Sequence, residues 1–86
     1  MWNKKIGDVC DNLKGFLLAK NSQYGDSAFE PVGIFAKGSP AEMIRVRIDD
    51  KLSRLSCGSE TIESDVDVIV DLAGYLILLL TVEGWS

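Results

Sequence analysis

The run from Val66 to Val82 constrains this chain most, because it is apolar nearly all round yet carries Asp67 and Asp71 inside it. Val66, Val68, Ile69, Val70, Leu72, Ala73, Leu76, Ile77, Leu78, Leu79 and Leu80 leave a helix here with no wet side, so it must be covered on every face. The stretch free of charge, Leu72 to Val82, is shorter than the roughly 20 residues a bilayer span needs. A buried helix in a protein with no membrane association is therefore expected. Two short partner helices cannot cover such a helix in an 86-residue monomer. The expected architecture is an all-α, small helical bundle of three main helices and a long loop, completed by oligomerisation.

The other helices follow from spacing. Ile6, Val9, Cys10, Leu13, Phe16 and Leu17 recur three and four residues apart, which predicts an amphipathic helix from Asn3 to about Ala19. Gly, Pro, Asn and Ser then punctuate Lys20 to Gly38, which predicts a loop with a short helical turn near Ala28 to Ala36. Ser39-Pro40-Ala41-Glu42 is a helix start, with Ser39 as N-cap, Pro40 in the first position and Glu42 completing a capping box. That second helix runs to about Ser56, stopped by Gly58, with Ile44, Ile48, Leu52 and Leu55 as its apolar stripe. Ser59 or Glu60 is expected to open the third helix.

Composition excludes much. The 86 residues allow a single domain, and 47% hydrophobic content suits a folded core. There is no histidine, so Ser-His triads, Cys-His dyads and His-ligated zinc drop out. A net charge of −4 without a basic tail makes duplex nucleic acid a poor partner. Cys10 and Cys57 are far apart and form no metal motif, which suits free thiols in a reducing compartment. No apolar run follows the basic Met1 to Lys5, so no signal peptide is expected and the location is read as cytoplasmic.

Carboxylates inside an apolar helix need a reason. Glu63, Asp67 and Asp71 are spaced i, i+4, i+8 and would line one face of the third helix. Unpaired, such buried acids are strongly disfavoured, so they require Lys or Arg from a neighbouring helix or a divalent metal. Oxygen ligands without His or Cys point to Mg²⁺ or Mn²⁺. On the second helix, Arg47, Asp50 and Arg54 share a face, Lys51 sits beside the apolar stripe, and the adjacent Asp49 and Asp50 point about 100° apart, so at most one of them lies fully toward a given partner. An antiparallel pairing of the two helices would bring Asp50 near Asp67 and Asp71 with Lys51 and Arg54 alongside, a set of metal ligands and cations that suits a polyphosphate. In the loop, Lys20 would meet phosphate, Tyr24 would stack on a ring, and Asn21 or Asp26 would hydrogen-bond base or sugar; the plainer reading is a helix end and a polar turn.

Lys20-Asn21 with Tyr24-Gly25-Asp26-Ser27, then Ile48-x-Asp50-Lys51-Leu52-Ser53-Arg54-Leu55, then Glu63-Ser64-x-x-Asp67-x-x-x-Asp71-Leu72-Ala73-Gly74-Tyr75, resemble the phage and bacterial nucleotide modification associated domain. That domain is similar to the MazG-like all-α NTP pyrophosphatase superfamily. The resemblance covers residues 14 to 82 and implies a Mg²⁺-dependent hydrolase that cuts a nucleoside triphosphate, more often deoxy, into the monophosphate and pyrophosphate. It also implies a homodimer or homotetramer, phage nucleotide metabolism and, for a phage protein, the host cytoplasm. Asp71 matches the final acid of the superfamily's second metal motif; Val68 stands where a Glu is expected, and the first motif falls on Arg47 and Asp50. The implied catalytic acids are Asp50, Asp67 and Asp71, with Glu63 and Asp49 completing the metal ligands and Lys20, Arg47, Lys51 and Arg54 on the phosphates. Two rival readings share these residues. One is a non-catalytic nucleotide-binding module; the other is a structural helical adaptor whose acids pair with Arg47, Lys51 and Arg54.

Overall fold

A computed structural model describes residues 1–29, 38–57 and 64–85. Among them the chain is all-α: α1 spans Trp2–Tyr24, α2 Pro40–Cys57 and α3 Asp65–Val82. α2 and α3 run antiparallel, since Arg45 pairs with Glu83 at 3.1 Å while Lys51, further along α2, pairs with Asp71, further back along α3. The two hydrophobic side chains buried among the described residues, Ile44 and Val68, come one from each of these helices, toward opposite ends of the hairpin.

α1 is longer than its periodicity predicts. Lys20 to Tyr24, expected as loop, continue the helix, and the chain turns only at Gly25. Lys20 and Gln23 are adequate helix formers, and Asn21 and Ser22 cost a few tenths of a kcal/mol each (~0.5), too little to end a helix of five preceding turns. What ends it is backbone geometry. Gly25 sits at φ 59° and Asp26 at φ 62°, and the Gly25 N–H donates back to the Asn21 carbonyl. Glycine enters that left-handed region freely, and aspartate is among the few other residues that do.

α2 starts as its capping signature predicts, with the Glu42 N–H donating to Ser39 Oγ at 3.2 Å. α3 starts later than expected. Ser64 is extended and caps the helix by accepting the Asp67 N–H at 3.1 Å, so α3 cannot run unbroken from Ser59. The expected Gly58 stop, the start at Ser59 or Glu60, and most of the turn near Ala28 to Ala36 lie outside the described residues. No helix among the described residues is long and apolar enough to cross a membrane.

α1 meets the hairpin at one close seam. A Cβ placed on buried Gly74 would lie 2.9 Å from Leu17 Cδ2, so the bare α-carbon is what lets the two helices approach there. Leu17 is half-buried, and no residue of α1 is buried.

Candidate functional site

A cavity of 380 Å³ opens where the C-terminal half of α1 faces the hairpin. Three sets of side chains line it. From α1 come Phe16, Lys20, Asn21 and Tyr24; from α2 come Met43, Ile44 and Arg47; from α3 come Asp71, Gly74, Tyr75 and Leu78. The geometry follows from helical spacing. Phe16, Lys20 and Tyr24 are each one turn apart, as are Asp71 and Tyr75, so each helix presents one stripe to the space. Ser27 and Ala28, just past the left-handed turn, close the end.

Asp71 is the one carboxylate on this wall among the described residues. Its Oδ2 lies 3.1 Å from Lys51 Nζ and its Oδ1 lies 3.9 Å from Lys20 Nζ. Lys51 is buried and Asp71 half-buried, so this pair is screened less than a surface pair and holds α2 against α3. The Lys20 arm is looser: its side chain is 47% exposed, and its ammonium also rests over the Phe16 ring at 4.8 Å. The Arg47 guanidinium lies 6.0 Å from the Tyr75 ring centroid, within cation–π range.

Of the expected residues, the cavity gathers Lys20, Asn21, Tyr24, Arg47 and Asp71, and Lys51 supports it through Asp71. The rest stand apart. Asp50 pairs with Arg54 on its own helix at 3.3 Å and is exposed. Asp49 is exposed on α2. Asp67 is not embedded in apolar surroundings: it is exposed in the first turn of α3, where acids complement the helix dipole. The extended Ser64 interrupts the i, i+4, i+8 face before it reaches Glu63, which lies outside the described residues. Asp50, Asp67 and Asp71 therefore do not gather, and no group of three acids, cysteines or histidines is placed to hold a metal among the described residues. Asp26 stands beside the cavity, accepting from Asn21.

Two rings on the wall, Phe16 and Tyr75, escaped the sequence reading as site residues. The available signal was position: Phe16 precedes Lys20 by one turn and Tyr75 follows Asp71 by one turn. No family model matches this chain, and neither does any curated protein or solved structure.

Proposed function

We propose that this chain binds a nucleoside triphosphate in the cavity between α1 and the α2–α3 hairpin and hydrolyses it with Mg²⁺ to the monophosphate and pyrophosphate. The observation that carries this reading is the meeting of two cationic side chains, three aromatic rings and one carboxylate on a single wall built from all three helices. A nucleotide needs those three things: a flat surface for the base, positive charge for phosphates, and a hard oxygen for the reaction.

Each group has a role that its surroundings suit. Arg47 offers a planar fork for paired phosphate oxygens. Lys20 holds Asp71 at only 3.9 Å in a partly exposed position, so moving to a phosphate costs it little. Tyr24 and Tyr75 offer stacking faces. Lys51 fixes Asp71 from below and keeps its carboxylate aimed along the wall.

A magnesium ion that arrives on a triphosphate takes one or two protein carboxylates and fills its remaining positions with phosphate oxygens and water. Asp71 fits that demand as the hard oxygen donor on the cavity wall among the described residues. Held by Asp71, such an ion would supply positive charge for the leaving pyrophosphate and would acidify a water. With no histidine in the chain, a carboxylate would have to accept the water's proton, and Asp71 is the one on the cavity wall among the described residues.

The active form is a homodimer or homotetramer. Among the described residues Ile44 and Val68 are the buried hydrophobic side chains, a small core, while Trp2, Ile6, Val9, Val66, Ile69 and Trp85 are each more than half exposed. A further copy covering these side chains supplies the missing burial.

The test is release of pyrophosphate from the common dNTPs with Mg²⁺. Asp71→Asn is expected to lower the rate at least about a hundredfold, the scale of losing a general base. Normal turnover by Asp71→Asn removes that residue from the mechanism. A second reading, binding without turnover, is favoured by the lysine pairing of both Asp71 oxygens. It predicts that nucleotides raise the melting temperature while no pyrophosphate appears.

A further inference from the structure

Among the described residues, both cationic side chains on the cavity wall rest on aromatic rings of the same wall. The Lys20 ammonium lies over the Phe16 ring at 4.8 Å, and the Arg47 guanidinium lies over the Tyr75 ring at 6.0 Å. Helical spacing makes the first pair, since Phe16 and Lys20 are one turn apart on α1. The second pair bridges the hairpin, with Arg47 on α2 and Tyr75 on α3. Tyr24, the third ring, has no cation over it among the described residues.

A cation held at a ring face closes that face to a flat base. A phosphate offers the same cation a stronger partner, because a charge-assisted hydrogen bond exceeds an exposed cation–ring contact. The two ends of a nucleotide are therefore linked through these side chains. A nucleoside alone has to displace the cations to reach Phe16 or Tyr75. A phosphate chain alone has to draw them off as well. When both are present the displacement happens once, so each strengthens the other, and by the same factor in both directions.

We propose that Lys20 and Arg47 cap the base-stacking faces of Phe16 and Tyr75 and that a phosphate chain uncaps them, so the cavity selects nucleotides over free nucleosides by more than the phosphate contacts alone supply. This rests on the nucleotide reading of the cavity. An exposed cation–ring contact corresponds to about two- to fivefold in an equilibrium constant, so freeing both rings gives about four- to twenty-five-fold.

The test splits the substrate into two probes, 2′-deoxyadenosine and inorganic tripolyphosphate, titrated by NMR singly and together in the presence of Mg²⁺. Deoxyadenosine is expected to bind about four- to twenty-five-fold tighter when tripolyphosphate saturates the protein, and the reverse titration should return the same factor. Arg47→Gln is the informative variant. Arg47 is exposed, so its substitution spares the fold. Losing this cap should tighten deoxyadenosine alone by about two- to fivefold while weakening tripolyphosphate by about tenfold or more. A side chain that merely shaped the cavity would weaken both. Independent binding of the two probes, mutual exclusion between them, or unchanged or looser deoxyadenosine binding by Arg47→Gln overturns the proposal and leaves the nucleotide cavity standing. Failure of deoxyadenosine, tripolyphosphate and dATP all to bind overturns both.

Discussion

The α2–α3 hairpin and α1 are held by different physics. The hairpin owns the two hydrophobic side chains that are buried among the described residues, Ile44 and Val68, and it is crossed by the Lys51–Asp71 and Arg45–Glu83 ion pairs. α1 is the longest helix, yet none of its residues is buried, and its close approach to the rest is Leu17 on Gly74. The hairpin is thus a small core, and α1 is a wall leaned against it. The cavity lies along that weaker seam. Its cations and rings come from both regions, so binding a ligand there also fastens α1 to the hairpin.

The comparison can be broken most forcefully in the core. Ile44→Ala truncates a hydrophobic side chain that is 1% exposed and is expected to cost about 2–5 kcal/mol in urea denaturation. Ile6→Ala, on the exposed half of α1, should cost less than about 0.5 kcal/mol within one copy. A loss at Ile6 above about 1 kcal/mol places that side chain under a second copy rather than in solvent.

Gly74→Val attacks the seam. Its Cβ would stand 2.9 Å from Leu17 Cδ2, and its further methyls would crowd more. The expected cost is about 1–3 kcal/mol, spent on separating α1. Hydrogen exchange should show α1 amides losing protection while α2 and α3 keep theirs. Uniform loss across all three helices would mean that α1 is integral to the core.

The smallest effect is expected at the hairpin's open end. Arg45→Ala breaks a pair whose side chains are both more than half exposed, worth about 0.2–1 kcal/mol and weakened by salt. A larger, salt-resistant loss would show that Arg45 and Glu83 are covered by another copy.

Helix existence was legible because it rests on local signals. The expected Ser39 N-cap is present, and the apolar spacing read in α1 and α2 falls within helices that form. Boundaries were harder. Polar residues at 20–23 resemble a loop in composition, but only the φ-positive Gly25 carries the geometry that stops a helix. Ser64 shows the reverse: its capping geometry ends an apparent face of acids that spacing alone carried back to Glu63.

Sequence by itself determined that the chain is helical, that imidazole chemistry is absent, and that Asp71 needs a cation. Those conclusions depend on residue type and short-range spacing, which a linear string contains. Only the tertiary structure decided which cation meets Asp71, and it placed Lys51 and Lys20 there. It also took Asp67 out to the first turn of α3, tied Asp50 to Arg54, and set Phe16 and Tyr75 on one wall. These outcomes turn on the register between helices and on where each helix begins. A shift of one residue along a helix turns a side chain by about 100°, so spacing within a helix cannot fix what it faces across the gap.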